Sequence, residues 1–378
     1  MSEPRITVFL PTYSRNSSGL LAAAIESVLA QSEKRLQLLV VDDGSTDGTS
    51  DTIHRYAALD PRVTHIRFER NIGLPALTTG LALPAARGEY LAWCFDDCVL
   101  FPDHLAELSG ALDRDPRIGL ASGRVEVPVS SSQSAILGGP LAVEKLREGS
   151  NYIPNVGVIF RRSVVDDVGW YDPNVILKRQ CDWDLWLRIA RKYSTGFVDR
   201  VVAREHGVTQ SDSIGHDNSI RIDLVLKYVD CDRDAMLRPA VLAAYDPFSV
   251  AHVTTFTPQD IEAYRRLLLE HFVKICDVRK AIEIARTIDD PALRRRVRAQ
   301  NPEVADDDLL LLMESLAAYR FYREGWLKQR IREVADVSEE RLELLLEAQH
   351  RDPTWLRIGR RIWRLLRDRS PKSLEVTR

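Results

Sequence analysis

Several features that would narrow the function of this 378-residue chain are missing from its sequence. It has no apolar run close to the roughly 20 residues that a membrane-spanning helix needs. Its first residues, MSEPRITVFLP, lack the basic and long apolar segments of a secretory signal peptide. It also lacks internal repeats and low-complexity tracts. We therefore expect a cytoplasmic protein built from ordinary globular domains.

Excess charge and a cysteine framework are missing as well. With 52 Lys plus Arg against 55 Asp plus Glu, the net charge of -3 provides no overall attraction to nucleic acid, which we do not expect as a partner. The five cysteines are odd in number and scattered, as is typical of reduced thiols. Cys94 and Cys98 have no second Cys or His pair at ligand spacing, so we interpret them as buried or strand-edge thiols.

What is present is a chain of two parts. Short apolar runs alternate with amphipathic segments up to about residue 220, which predicts a mostly parallel sheet covered by helices. The predicted strands are residues 6–10, 36–41, 63–68, 90–95, 118–123 and 156–160. Beyond residue 220 the pattern is helical, with a start signal at Thr257 and Pro258. We expect an α/β domain over residues 1–220 and a helical domain over residues 221–378.

Polar side chains follow three of the predicted strands. The sequences are LPTYSR (10–15), VVDDGSTDGTS (40–50) and FDDC (95–98). Ligands of open α/β sheets bind beyond the carboxyl ends of the strands, so loops of this kind bring Asp43 and Asp97 to one crevice. Asp96 and Asp97 repel each other unless a divalent cation such as Mg2+ or Mn2+ relieves them. The other interpretation is a turn that leads to a helix after Pro102.

An ordered series of motifs resembles glycosyltransferase family 2, inverting enzymes with the GT-A fold, which is Rossmann-like with a mostly parallel mixed sheet. The motifs are VFLPTYS, SVLAQS, LLVVDDGSTDGT, ARGEYLAWCFDDCVLFPDHL, FRRSVVDDVGWYD and CDWDLWLR. The resemblance covers roughly residues 5–215 and includes bacterial spore-coat and surface polysaccharide glycosyltransferases. It implies a nucleotide-diphosphate sugar as donor and a glycan, a lipid-linked molecule or a protein as acceptor.

The resemblance also implies residue roles. Six residues are placed around the nucleotide: Pro11, Thr12, Tyr13, Arg15, Asp43 and Asp96. Asp43 corresponds to the acceptor for N3-H of the base, and an ionised carboxylate there selects uracil or thymine, so UDP or dTDP is expected. Ser45 and Asp47 are expected to cap the helix that follows Asp43.

Asp97 and His206 correspond to the ligands of Mn2+ or Mg2+. Phe95 and Cys98 stand where many relatives carry Asp, so we expect weak metal binding or a coordination shell that the donor diphosphate completes. A single His is also often structural.

Asp182 corresponds to the catalytic base, since inversion requires a carboxylate that deprotonates the acceptor hydroxyl. Cys181 stands where Glu is usual, and a helix cap is the other interpretation of Asp182.

The predicted function is therefore transfer of a sugar from a nucleotide-diphosphate donor, with inversion, in bacterial surface polysaccharide or glycoconjugate synthesis. A catalytically weak or silent nucleotide-sugar-binding scaffold on the same fold is the alternative. A nucleotidyltransferase would need a basic loop that binds a triphosphate, and Arg15 is the one basic residue near the first strand that supports it.

Residues 351–378 hold nine basic and three acidic residues. The amphipathic stretch 355–369 fits either peripheral membrane contact or packing within the protein. A homo-oligomer is also possible.

Overall fold

The computed structural model describes residues 3–295, apart from 131–132, 149–150, 207–220, 276, 289–290 and 292–294. The chain divides into two compact units, Met1–Phe256 and Thr257–Arg378. The division differs from the one expected near residue 220, because the described residues between 221 and 256 are helices and turns of the first unit. In the part of the chain that the structure describes, no helix combines the length and the apolarity that crossing a bilayer requires.

Nine strands of the described residues form one sheet. They are β1 (Ile6–Thr12), β2 (Leu36–Asp42), β3 (Val63–Arg67), β4 (Tyr90–Trp93), β5 (Cys98–Leu100), β6 (Ile118–Ser130), β7 (Gln133–Leu137), β8 (Val158–Arg161) and β9 (Ser194–Glu205). The helices of the first unit are α1 (Leu20–Leu29), α2 (Thr49–Leu59), α3 (Pro75–Ala82), α4 (His104–Arg114), α5 (Val143–Arg147), α6 (Arg162–Val168), α7 (Cys181–Ala190), α8 (Ile222–Val229) and α9 (Pro239–Leu242). The second unit begins with α10 (Pro258–Lys274) and α11 (Val278–Thr287).

The strand order is β3-β2-β1-β4-β8-β6-β9-β5, with β7 paired to β6. β1, β2, β3 and β4 are parallel to one another, and β6 is parallel to β9. β8, β5 and β7 run antiparallel to the strands beside them. The α/β prediction is therefore confirmed, and the loops that follow β1, β2 and β4 leave the sheet at the same edge.

Both faces of the sheet are covered. Ile6, Val8 and Leu10 of β1 belong to a core with α1 and α4. Phe9 points to the opposite face, where its ring lies 5.1 Å from that of Trp170. Alternate residues of a strand point to opposite faces, so a strand covered on both sides is apolar throughout. This is why β1 and β2 are recognisable in the sequence as continuous apolar runs.

All six strands predicted from the sequence are present, with ends that shift by a few residues. The prediction missed β5, β7 and β9. β9 has the sequence STGFVDRVVARE, in which exposed polar residues interrupt the apolar ones, and most side chains of β7 are exposed.

The helix start expected at Thr257 and Pro258 is confirmed in the second unit. The backbone N-H and the hydroxyl of Thr257 donate to Asp260, 2.8 and 2.9 Å away, and Asp260 N donates back to the Thr257 hydroxyl over 3.2 Å. This is the reciprocal pattern of a capped N-terminus. The helix expected after Pro302 and the basic stretch 355–369 lie outside the described residues.

Candidate active site

The loops that follow β1 and β2 are joined by hydrogen bonds. Ser14 N donates to the Ser45 hydroxyl over 2.9 Å, and Arg15 N donates to the Thr49 hydroxyl over 2.9 Å. The carboxylate of Asp47 accepts from Asn16 N at 3.1 Å. Ser45 and Asp47 therefore bind the first loop, and Asp47 also accepts from Thr49 N, at the first residue of α2, over 3.2 Å. The expected contact with the helix N-terminus is thus present for Asp47, while the N-cap position itself is Gly48. The loops after β1 and β2, which are predicted to bind the nucleotide, are therefore held together by hydrogen bonds.

Asp43 lies directly after β2 with only 7% of its surface exposed. Its two carboxylate oxygens accept from Ile72 N at 2.9 Å and Gly73 N at 2.8 Å, and its own N-H donates to Thr12 O at 3.0 Å. Gly44 allows this approach, because a Cβ there would lie 2.5 Å from the Arg70 backbone. Burial raises the pKa of Asp43 to about 6, although the two N-H groups act against it.

The adjacent acid Asp42 has a different role. It is fully buried, accepts from Ser45 N at 2.8 Å, and accepts a hydrogen bond from the Ser50 hydroxyl. Burial alone would raise its pKa, but His65, Ser45 and Ser50 outweigh burial and lower the pKa of Asp42 to about 2. Asp42 thus holds the loop, whereas Asp43 is the acid of this pair whose charge changes near neutral pH.

Asp96 connects the end of β4 to the loop after β1. The Thr12 hydroxyl donates to one carboxylate oxygen over 2.8 Å, and Arg15 Nε lies 3.3 Å from the other. Burial raises the pKa of Asp96 to about 6, with Arg15 acting against it and the neighbouring Asp97 adding to it. Arg15 therefore supplies part of the positive charge that the paired acids need.

Asp97 and His206 meet through their main chains. His206 N donates to Asp97 O over 2.8 Å, because β5 pairs with β9 from Cys98 opposite Glu205 onward. These two residues are far apart in sequence, and the sheet brings them together beside Asp96. The nearby Arg204 is engaged elsewhere, with its guanidinium 2.8 Å from Glu126.

The donor set limits how a divalent cation fits here. Within the described residues, no group of three His, Cys, Asp or Glu side chains is arranged as a metal site. The oxygens of Asp96 face Thr12 and Arg15, and burial raises the pKa of the Cys98 thiol well above its ordinary value, which disfavours the thiolate that metals bind. Asp97 and His206 remain. Two protein ligands match a cation whose other ligands are phosphate oxygens and water.

Asp182 is the second residue of α7. One of its carboxylate oxygens accepts from Asn151 Nδ2 at 3.0 Å, and the other accepts from Trp183 N at 2.7 Å. The Asn151 side-chain oxygen in turn accepts from Ile153 N at 3.1 Å, which fixes the orientation of the amide. The carboxylate is thus held at a helix N-terminus, where negative charge is favourable.

The sheet relates Asp182 to the acids at the end of β4. β8 is antiparallel to β4, with Ile159 opposite Ala92, so residues 151–157 lie beyond the carboxyl end of β4. The Tyr171 ring packs 4.6 Å from the Trp93 ring, and its hydroxyl donates to Asn155 over 2.8 Å. Burial and the charge of Asp182 raise the pKa of Tyr171. Asp182 and Asp96 therefore lie at the same edge of the sheet.

Asn151 and Gly73 were missed by the sequence reasoning. Each donates to a predicted acid from a loop that contains no apolar periodicity. Nothing in the local pattern identifies Gly73, whereas the stretch NYIPN, with two asparagines before β8, is a signal that would have pointed to Asn151.

Comparison with known proteins identifies a family for part of the chain. Residues 7–169 match the model of glycosyl transferase family 2. Asp43, Asp96 and Asp97 lie within the matched residues, whereas Asp182 and His206 lie beyond them.

Curated relatives and a solved structure are similar to parts of this chain. The chain is 28% identical over 207 residues to an uncharacterized glycosyltransferase, alr2836, of Nostoc sp., covering 52% of this chain and 61% of that one. It is 35% identical over 95 residues to TuaG of Bacillus subtilis, a putative teichuronic acid biosynthesis glycosyltransferase, covering 25% of this chain and 36% of that one. S. aureus TarS 1–349 is 15% identical with a TM-score of 0.47, covering 84% of this chain and 93% of that one.

This chain thus spans less than two thirds of the length of either curated relative. Residues 7–169 are thus similar to glycosyl transferase family 2, and the sheet with its strand-end acids agrees with that match.

Proposed function

We propose that this protein transfers a sugar, with inversion, from a uridine or thymidine diphosphate donor to a hydroxyl group in bacterial surface polysaccharide synthesis. The observation that carries the proposal is the convergence of Asp43, Asp96 and Asp97 at one sheet edge, where Thr12 contacts both Asp43 and Asp96. Arg15 pairs with Asp96 at the same edge. TuaG, named for teichuronic acid biosynthesis, supports the class of product.

The donor base is recognised at Asp43. Its carboxylate already accepts two backbone N-H groups, which fix its position, and each oxygen retains a further lone pair. One of these free lone pairs on the Asp43 carboxylate accepts N3-H of uracil or thymine. Cytosine has no N-H at this position, so it is excluded. Tyr13 is half-buried beside this loop and contacts the base, and Pro11 and Thr12 form the floor.

The reaction is a single displacement at the anomeric carbon. Asp182 accepts the proton of the acceptor hydroxyl while the oxygen attacks from the side opposite the diphosphate. The hydrogen bonds from Asn151 and Trp183 hold the carboxylate in one orientation. Arg15 stays beside Asp96 and stabilises the ribose end of the donor.

Asp97 and His206 are the residues that would hold Mn2+ or Mg2+. When bound with the donor, such a cation neutralises the departing diphosphate. The diphosphate and water would supply its other ligands, so we expect the cation and the donor to bind together.

A panel of UDP-, dTDP- and GDP-sugars tests the proposal. We expect Mn2+-dependent binding and slow hydrolysis of UDP- or dTDP-sugars in preference to GDP-sugars. Guanine also presents N-H donors, N1-H and N2-H, to a carboxylate, so GDP-sugars are the comparison that tests the choice of base. Preference for GDP-sugars would contradict a pyrimidine donor at Asp43. Tight binding without turnover for every donor and acceptor would instead support the scaffold alternative.

A further inference from the structure

A buried ionic network lies behind Asp182 and is not explained by donor recognition. Asp184, two residues further along α7, is 1% exposed and is contacted by two guanidinium groups. Arg188 Nε lies 2.9 Å from one carboxylate oxygen, and Arg233 Nη2 lies 2.5 Å from the other. Arg233 also contacts Asp172, which is fully buried.

The network is balanced in charge and satisfied in hydrogen bonds. Two arginines face two aspartates, and Asp172 accepts further hydrogen bonds from the hydroxyls of Tyr228 and Tyr245, each over 2.9 Å. Burial alone would raise the pKa of Asp184, but Arg233 and Arg188 outweigh burial and hold that pKa below its ordinary value. Buried charges of this kind are stable only while every partner is present.

Arg233 connects α7 to a segment that follows the family match. Its guanidinium lies over the Tyr228 ring at 4.2 Å, and Tyr228 belongs to α8. Close by, Trp170 N donates to Leu237 O over 2.8 Å, and a Cβ at Gly169 would lie 2.5 Å from the Leu237 side chain. Residues 228–237 are therefore packed tightly against the strand-to-helix region that leads to α7.

Arg188 cannot replace Arg233 in this role. It belongs to α7 itself and binds the carbonyls of Val168 and Trp170 from there. Arg233 comes from another part of the chain, so it determines where the first turn of α7 lies relative to the body of the domain. Asp182 is in that turn.

We propose that Arg233 is a positioning residue for transfer: through Asp184 it fixes the first turn of α7 and thereby the carboxylate of Asp182. The inference rests on the proposed function of Asp182. It extends the active site to a segment, residues 222–237, that lies outside the matched family domain.

Arg233→Met and Asp184→Asn are the direct tests, with Arg233→Lys as the conservative variant. Arg147→Met is the matched control, because Arg147 pairs with Asp230 of the same segment at an exposed site. The double variant Asp184→Asn/Arg233→Met removes one charge of each sign, so it keeps the network neutral if Arg233→Met alone fails to fold. Each variant is assayed for kcat, for the Kd of UDP, and for hydrogen exchange of the peptides covering α7 and α4.

We expect Arg233→Met and the double variant to lower kcat by about 100-fold, the effect of a displacement of about 1 Å at a reacting group. The Kd of UDP is unchanged, and exchange accelerates in α7 but not in α4. The kcat of Arg233→Lys lies between those of wild type and Arg233→Met, since an ammonium cannot contact two carboxylates as a guanidinium does. Arg147→Met behaves as wild type.

Unchanged kcat in Arg233→Met, or exchange that accelerates equally in α7 and α4, overturns the inference, since the first shows no positioning and the second shows only global destabilisation. Failure of the proposed function is a separate result: the wild-type protein would show no transfer, and the exchange of α7 against α4 would still decide whether Arg233 holds the helix.

Discussion

The two halves of the candidate site are built differently. On the donor side, Asp43, Asp96 and Asp97 follow strands directly, and their contacts come from neighbouring strand-end loops. On the proposed acceptor side, Asp182 lies in the first turn of α7, which contacts Asn151 and a buried network that includes Arg233. The donor side is thus set by sheet topology and the acceptor side by long-range packing. We expect substitutions to separate these halves into effects on binding and effects on turnover.

Asp182→Asn gives the largest expected effect. Loss of the general base lowers kcat by about 10³-fold, within the range for acid-base groups, because the amide cannot accept the hydroxyl proton. UDP affinity stays the same, since Asp182 does not contact the nucleotide. Single-turnover transfer and calorimetric titration with UDP measure the two quantities. Asp199→Asn, at a side chain that is 70% exposed, is the control, and equal turnover in the two variants would remove Asp182 from the mechanism.

Asp43→Asn tests the donor side. A hydrogen bond to a charged group contributes about 1.5–3 kcal/mol, so we expect UDP affinity to fall by about 10-fold to 100-fold. The kcat at saturating donor changes little. Asp51→Asn, in the exposed first turn of α2, is the matched control. If Asp43→Asn changed kcat and left the Kd of UDP intact, the assignment of Asp43 to the donor side would be wrong.

Removal of the divalent cation acts on donor binding as well. Treatment with EDTA should weaken UDP binding by more than 10-fold, because unit charges about 4 Å apart contribute ~1 kcal/mol in bulk water and ~4 kcal/mol near a protein surface. Asp97→Asn should weaken UDP binding to the same level and abolish the response to Mn2+. A response to Mn2+ that persists in Asp97→Asn would show that another residue holds the cation.

Acidification gives the smallest expected effect. The pKa of Asp43 is raised to about 6 by burial, and only its ionised form accepts N3-H strongly. UDP affinity should therefore be constant above pH 7 and fall as the pH drops through 6, to about a tenth at pH 5 as expected for one titrating carboxylate. In Asp43→Asn the part of this step that Asp43 contributes disappears, and the step that remains belongs to Asp96, whose pKa burial also raises to about 6. A step of the full wild-type size in that variant would assign the titration to a group other than Asp43.

The difference between the halves also explains what could be predicted from the sequence. Asp43 and Asp97 follow continuous apolar runs, and the parallel connection of such strands fixes the edge at which they meet. The sequence does not reveal that Ile72 and Gly73 donate to Asp43, because that contact depends on a turn around Gly44. Arg233 gives no local signal at all. Its burial follows from the partners that surround it, which come from residues 172, 184 and 228.

A crystal structure of the protein with UDP and Mn2+ tests the central claim most directly. We predict that uracil N3 lies within hydrogen-bonding distance of the Asp43 carboxylate, that Asp97 faces the cation at the diphosphate, and that Asp182 stands across the crevice from the diphosphate. UDP bound at another edge of the sheet, or with its base away from Asp43, would contradict the account.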